Sequence, residues 1–506
     1  MTQMNSIFLS DGYKYGHQDQ YPPGTSLVYS NFTPRSNKYA PKGCDEVVVF
    51  GTTLAMKFLH EHFKENFFSK PKDEVIAEVK KELSMYLNTD YDTTHFENLH
   101  DLGYLPIHVK ALEEGTLCPI RVPMLTIYNT EPEFYWVTNF LESILSNLLW
   151  KPMTSASIAH TYKKVLTKYA LETDEKNVEF VNWQGHDFSF RGLDSDHAVI
   201  ASGLGHLTSF TGTDSLPAIW GARKYYNETG FVAGSVPATE HSVMCAGSKE
   251  GEIETFRRLL KTYKDSPILS VVSDTWDLWN VCTVILPQLK AEILAGTTKL
   301  VIRPDSGDPC DILCGTAPHL STKKYEDGRE NQHKGVIELL WDVFGGTVNE
   351  QGFKVLDPHI GAIYGDSITI DRATEICERL KAKGFASTNV VLGIGSFTYQ
   401  YNTRDTFGFA MKATYVEKVE RNYEYEKDVV YEIVGYPIFK DPVTDDGIKK
   451  SAVGLLTVYK YRGEIKLEDN CTWSQESVGL LKTLYKDGVF YSETTLTEIR
   501  EKLSKQ

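Results

Sequence analysis

Cysteine is scarce, at eight residues in a chain of 506. The eight form no disulfide framework. Cys310 and Cys314 lie closest together, but no second pair accompanies them at the spacing a zinc site needs. Reduced thiols and a cytoplasmic location are therefore expected. Long apolar runs are also missing. The most apolar stretch, FYWVTNFLESILSNLLW at 134–150, is broken by Asn139, Glu142, Ser143 and Asn147. It falls short of the roughly 20 residues that cross a bilayer, and reads instead as a buried helix or a subunit contact. The opening MTQMNSIFLSDGYKYGHQDQ lacks a basic segment followed by an apolar core, so no signal peptide is expected. Nor is there an excess of positive charge. With 68 acidic and 53 basic residues the formal charge is −15, which argues against general nucleic-acid binding or attachment to an anionic membrane. An anionic small molecule remains compatible, because screening over roughly 8–10 Å leaves local arginines and a metal in control. The GxSxG elbow, the Walker loop, HExxH and a complete GxGxxG opening a helix are all absent. No fixed-period repeat or low-complexity tract occurs.

What is present is a pattern. Between Val178 and Thr398, seven short apolar runs each pass at once into a polar turn carrying a charge, a hydroxyl or glycine. They are VEFVNW into QGHDFSFRG (178–192), LTSFTGTD (207–214), FVAGSVPATEHS (231–242), ILSVVSDTWD (268–277), KLVIRPDSGD (299–308), IGAIYGDS (360–367) and VVLGIGSFT (390–398). Runs of Val, Ile and Leu bounded by Gly, Asp and Ser read as strands buried on both faces. Helical stripes fill most gaps, for example Ile253, Phe256, Leu259, Leu260 and Tyr263, or Ile370, Ala373, Ile376, Cys377 and Leu380. Strand, loaded loop and helix in succession predict an α/β fold, an irregular α/β barrel with its working face at the strands' carboxyl ends. Hydrophobic content of 41% with 24% charged residues suits a globular protein, and the length calls for two or three units. The barrel is expected over 176–399. It is inserted in an α+β domain whose antiparallel sheet comes from both chain ends, 1–175 and 400–506. YLPIHVKALEEGTLCPIRVPMLTIYNT (104–130) reads as an antiparallel meander, with Thr130 and Glu133 as a capping box for the helix that follows. Ile158, Tyr162, Val165, Leu166 and Tyr169 mark a further helix. The polar stretch 311–334 reads as a surface excursion.

The strand ends collect an anion-handling set: Arg191, Arg303 and Arg404, the acids Asp214, Asp274, Asp305 and Asp366, and Gly307, Gly365, Gly393 and Gly395. Arginine holds phosphate oxygens through a planar fork, and glycine lets backbone N–H groups come close to them. Carboxylates take ribose hydroxyls or share Mg²⁺ with phosphates. Together they suit a phosphorylated sugar.

With those residues in place, the sequence closely resembles the nicotinamide phosphoribosyltransferases, type II phosphoribosyltransferases. DGYKYGHQDQYPPGTSLVYS, YLPIHVKALEEG, HDFSFRG, GTDS, SVPATEHS, VVSDTWD, IRPDSGDP, GDS, TRD and FKDP carry the resemblance, in that order, over residues 11–442. It implies a pentosyltransferase that joins nicotinamide to 5-phosphoribosyl 1-pyrophosphate with Mg²⁺. The products are nicotinamide mononucleotide and pyrophosphate, and the enzyme is a homodimer with shared sites. By this resemblance Phe188 stacks on the nicotinamide ring, and the partner subunit's Tyr13 covers its other face. Asp214 accepts the carboxamide N–H, and Arg191 holds the base or the ribose phosphate. Arg303 and Asp305 bind the phosphoribosyl group, with Gly365 and Asp366 on the ribose side and Gly395 and Ser396 at the phosphate. Arg35, Ser270 and Arg404 are assigned to substrate as well. GIGSF departs from the consecutive glycines usual at the phosphate loop.

His241 sits in ATEHS, where a strand end becomes a helix start. The helix dipole there disfavours imidazolium and would stabilise an attached phosphate. In the family the matching histidine is phosphorylated by ATP, which makes ATP a stimulating co-substrate, and Asp274 is the expected orienting partner. Neutral nicotinamide already offers a ring-nitrogen lone pair, so the attack needs no general base. Two other readings stay open: a nicotinate-specific relative, and a non-catalytic binding or signalling protein of the same fold. Arg303, Asp305, Asp366, Asp214 and His241 together exceed what a binding module needs.

Overall fold

A computed structural model describes residues 4–316, 329–425, 428–444 and 451–506. In chain order its main strands are β1 (Thr25–Thr33), β2 (Ile107–Ala111), β3 (Leu125–Asn129), β4 (Gly185–Asp187), β5 (Gly212–Thr213), β6 (Ile268–Val272) and β7 (Lys299–Arg303). They continue as β8 (Ile360–Tyr364), β9 (Val390–Ile394), β10 (Ala410–Tyr425), β11 (Asp428–Pro437), β12 (Lys482–Lys486) and β13 (Val489–Phe490). Two sheets result. A seven-stranded sheet runs β11-β10-β1-β3-β2-β12-β13, with antiparallel pairing throughout. It is thus built from both chain ends, as the sequence implies. A six-stranded sheet runs β5-β4-β9-β8-β7-β6 with every pair parallel.

The parallel sheet curls until its edges meet through the irregular segment 231–239. Gly234 bridges Gly212 beside β5, and Ala238 bridges Ser270 on β6. Gly234 N donates to Thr211 O at 2.9 Å and Ser270 N to Pro237 O at 2.9 Å. The barrel strands are only two to five residues long. Short Val/Ile/Leu-rich runs suffice because helices cover them outside and side chains fill them inside; all five residues of β8 are buried.

Four expected strands differ in the structure. VEFVNW is helical (Glu175–Phe180, then Val181–Gln184), and the strand begins only at Gly185. Short apolar runs carry no periodicity that separates a buried strand from a buried helical turn. Leu207 ends the helix Asp196–Leu207, which leaves a two-residue β5, and FVAG contributes bridges rather than a strand. Leu117–Pro119, taken as part of the meander, pairs with Glu46–Val48 instead of with β2 or β3. Leu455–Tyr461 forms a separate two-stranded sheet with Glu464–Cys471.

The two helices expected at 134–150 and 158–169 are largely one, α1 (Glu142–Thr173), with Pro152 inside it. No capping box starts it: Thr130 Oγ1 donates to Asp487 Oδ1 at 2.5 Å, and a 3-10 turn opens at Pro132. Most of α1 is buried because it is a spine, with the Asp196–Leu207 helix and strand Glu46–Val48 packed against it. Half of the expected 311–334 excursion, residues 317–328, lies outside the described residues.

One tight contact of this spine is at Gly205. A Cβ there would lie 2.8 Å from Ala156 N and 2.8 Å from Ser155 Cβ, whereas a Cβ at Gly230 would meet nothing within 4 Å. Gly205→Ala should force the two helices apart at a cost of about 1–3 kcal/mol. A thermal melt should show a lowered midpoint for Gly205→Ala and none for Gly230→Ala; equal midpoints would dismiss the close-packing argument.

Candidate active site

The loops at the carboxyl ends of the barrel strands enclose one cavity of about 770 Å³. Phe188 and Arg191 enter it after β4, Asp214 after β5 and His241 after the closing segment. Arg303 ends β7, with Asp305 just beyond; Gly365 and Asp366 follow β8, and Gly395 and Ser396 follow β9. Residues far apart in sequence share one mouth because parallel strands all end on the same side.

One wall is a fork. Arg303 Nε donates to Asp305 Oδ1 at 3.0 Å and Nη2 donates to Oδ2 at 3.2 Å. Asp274 holds the turn beneath it, its Oδ2 accepting from Asp305 N at 2.8 Å and Ser306 N at 2.7 Å. Charge-assisted bonds to backbone N–H groups are among the stronger ones available to a carboxylate. Gly365 lets this wall close: a Cβ there would lie 2.1 Å from Asp305 Oδ1 and 2.9 Å from Arg303 Nε.

The adjoining wall carries an aromatic ring and an acid. Asp187 is fully buried, and its Oδ1 accepts from Ser189 N at 2.9 Å and Ser189 Oγ at 2.7 Å, which sets the turn that projects Phe188. The Phe188 ring lies across Gly393, where a Cβ would come within 2.5 Å of it, and the Arg303 guanidinium sits 4.8 Å from its centroid. Asp214 Oδ1 receives His186 Nε2 at 2.9 Å and the Ser235 hydroxyl. Burial pushes the Asp214 carboxyl up, but those hydrogen bonds and the charges of His186 and Arg303 outweigh it and hold the group below its ordinary value. Under β5, buried His206 has its pKa pushed down to about 4 by desolvation. It is therefore neutral, and its Nε2 donates to Gly212 O at 3.0 Å while its Nδ1 accepts from Tyr399 at 2.7 Å.

His241 opens the helix His241–Ala246, and its side chain is half-exposed. Its Nδ1 lies 3.0 Å from Thr275 Oγ1. Nε2 is 3.9 Å from Asp274 Oδ1 and 4.0 Å from Asp305 Oδ2, within reach of their charge but beyond hydrogen-bond distance. The hydrogen-bond partner is Thr275, where the sequence suggested Asp274. On the remaining side, a Cβ at Gly395 would meet nothing within 4 Å, so this backbone faces open space. Ser367, beside Asp366, holds a left-handed φ of 57°, a conformation that clusters at ligand-binding turns.

Five expected residues do not line the cavity. Asp274 stands behind it, and Ser270 is buried in the closing seam of the barrel with no partner for its Oγ among the described residues. Tyr13 is 64% exposed and packs on His17. Arg35 Nε donates to Gly408 O at 2.9 Å, and Arg404 is half-exposed. Lys412 joins this outer group: burial lowers its pKa, Glu142 opposes the shift, and Arg35, Lys440 and Arg404 add to it. Glu142 also pairs with Lys14, next to Tyr13, at 2.7 Å. The sequence reading passed over Lys412, Glu142, Asp187, His186 and Ser235. Lys440 was visible in FKDP, and His186 and Asp187 lie inside HDFSFRG, but no spacing rule marks their roles.

An arginine–aspartate fork, an aromatic platform and glycine-opened backbone at the mouth of a parallel barrel define an α/β-barrel protein built to hold an anionic ligand. The profile of the nicotinate phosphoribosyltransferase (NAPRTase) family matches residues 183–485, and the profile of the nicotinamide phosphoribosyltransferase N-terminal domain matches residues 5–109. The chain is 46% identical to a nicotinamide phosphoribosyltransferase of Acinetobacter baylyi, covering 100% of this chain and 98% of the relative. It is 34% identical to one of Mycoplasma pneumoniae, over 82% of this chain and 90% of that one. In fold it is similar to the crystal structures of a nicotinate-nucleotide pyrophosphorylase from Pyrococcus furiosus (TM-score 0.54, 15% identity, 99% of this chain and 95% of that one) and of human nicotinic acid phosphoribosyltransferase (TM-score 0.53, 16% identity, 98% and 93%). The chain belongs to the nicotinate phosphoribosyltransferase family.

Proposed function

We infer that the protein transfers the phosphoribosyl group of 5-phosphoribosyl 1-pyrophosphate to nicotinamide, forming nicotinamide mononucleotide and pyrophosphate in NAD biosynthesis. Relatives named for this activity, 46% and 34% identical over 100% and 82% of this chain, support the reading. The observation that carries it is a single cavity with an aromatic ring and a carboxylate on one wall and the Arg303–Asp305 fork on the other. The nicotinamide ring nitrogen forms the bond to ribose C1′ as the C1′–oxygen bond breaks, and the electron pair leaves with pyrophosphate. No proton need be removed from the base. The protein's share is orientation and stabilisation of an oxocarbenium-like ribose and of the departing charge.

No group of three or more His, Cys, Asp or Glu that could hold a metal occurs among the described residues. Asp305 and Asp366 line the cavity, and they suit Mg²⁺ arriving with substrate, since Mg²⁺ is commonly held by one or two carboxylates together with phosphate oxygens. Asp305 and Asp366 are the carboxylates we assign to it. When bound, the ion neutralises charge on the pyrophosphate. ATP is the proposed stimulating co-substrate, with His241 as phosphoryl acceptor. When Nδ1 donates to Thr275, the Nε2 lone pair is free for that transfer.

We further propose a homodimer in which the partner subunit's Tyr13 closes over the base and the partner's cluster of Arg35, Lys412 and Lys440 reaches the phosphates. In one chain, Tyr13 and this cluster stand outside the cavity that Phe188 lines. No helix among the described residues is long and apolar enough to cross a membrane. All eight cysteines are free, and we place the protein in the cytoplasm.

Nicotinamide should be strongly preferred to nicotinate. The carboxamide donates N–H to Asp214, whereas nicotinate sets a carboxylate against it. Losing a hydrogen bond to a charged group costs about 1.5–3 kcal/mol, or roughly ten- to hundredfold in specificity. Values of kcat/KM for both bases, with and without ATP, provide the test, and equal or better use of nicotinate would overturn the choice of base.

His241→Ala should abolish ATP hydrolysis and ATP stimulation while leaving a weak ATP-independent transferase. Unchanged coupling in that variant would exclude the phosphoryl-acceptor role.

Mixing inactive Tyr13→Ala and Asp305→Ala chains should regain activity, because each hybrid dimer contains one intact site. Exchanged, folded hybrids that stay inactive would rule out a site shared between subunits.

A further inference from the structure

We propose that His186 is a positioning residue that decides which oxygen of Asp214 reads the base, and thereby sets the preference for an N–H donor over a carboxylate. The inference rests on the base-recognition role given to Asp214 above. His186 lies on β4 and pairs in register with Gly212 of β5, two residues before Asp214. This places the imidazole beside the acid, with Nε2 at 2.9 Å from Oδ1. An ionised carboxylate only accepts hydrogen bonds, so Nε2 carries the proton and donates. The Ser235 hydroxyl donates to the same oxygen. Both protein donors are thus spent on Oδ1. Oδ2 has no hydrogen-bond partner among the described residues, and Asp214 lines the cavity.

The imidazole is held in place on two further sides. Its ring packs against Phe188 at 4.8 Å between centroids. Gly212 closes the other side so tightly that a Cβ there would fall 2.7 Å from Nδ1. One ring therefore touches both the stacking platform and the acceptor. A carboxylate clamped through one oxygen presents the other at a set angle to whatever lies over Phe188. A substrate N–H satisfies that oxygen, whereas a substrate carboxylate meets a like charge with no donor between them. Without the clamp, Asp214 can turn and share the Ser235 hydroxyl with an incoming carboxylate, and discrimination falls.

Two variants of similar polarity separate positioning from packing. His186→Gln keeps an amide donor near the place of Nε2, whereas the donor of His186→Asn reaches only to the place of Nδ1. The nicotinamide-to-nicotinate ratio of kcat/KM should fall about tenfold in His186→Asn, the scale of one charge-assisted hydrogen bond. The fall should come through KM for nicotinamide, with KM for 5-phosphoribosyl 1-pyrophosphate unchanged. His186→Gln should keep most of the ratio. Equal ratios in the two variants, whether both high or both low, would overturn the proposal. Asp214→Asn measured alongside separates the two claims. If it leaves the ratio intact, the base-recognition reading itself fails. If it collapses the ratio while His186→Asn does not, only the role of His186 is lost.

Discussion

Closure of the parallel sheet is the constraint on which the rest of the molecule depends. Six strands of two to five residues cannot complete a barrel alone, and the gap between β5 and β6 is closed by single bridges at Gly234 and Ala238. Each bridge places a functional segment. The bridge at Gly234 leads into Ser235, which binds Asp214, and that at Ala238 leads into Glu240 and the helix opened by His241. A regular strand in this gap would satisfy more backbone groups, but its alternating side chains could not present consecutive residues to one mouth. The seam trades ladder hydrogen bonds for placement.

Around that mouth, charge is arranged so that acids are engaged before any ligand arrives. Asp187 and Asp274 spend oxygens on backbone N–H groups, Asp305 binds Arg303 and Asp214 binds His186. A chain with a formal charge of −15 can in this way offer an anion-tolerant site. Its carboxylates orient the cations and backbone turns rather than facing a phosphate directly. The outer cations Arg35, Arg404, Lys412 and Lys440 stand together on the part of the chain contributed by its two ends.

Much of this was legible because the relevant elements are short and chemically marked. KLVIR and IGAIY announce strands β7 and β8, and PDSGD and GDS announce the turns that follow. Where the marks were weak the reading slipped. VEFVNW has a strand's composition but turns as a helix, and its run is too short for periodicity to tell the two apart. Thr130 and Glu133 have the spacing of a capping box, yet the Thr130 hydroxyl goes to Asp487, a residue 357 positions away. Pro152 lies inside α1, and packing on nearly every side keeps the helix continuous through it.

The sequence by itself determined the fold class, the order of loaded strand ends and the residue types that make the site. Those depend on local composition and on the rule that parallel strands end together. Only the tertiary structure decided which groups share a hydrogen bond. Thr275 rather than Asp274 holds the His241 ring, Asp274 instead secures the turn under Arg303, and His186 reaches Asp214 across two strands. Such pairings rest on differences of about an ångström between chain segments tens to hundreds of residues apart. Hydrogen bonding is so steep in distance and angle that no pattern along the chain encodes it.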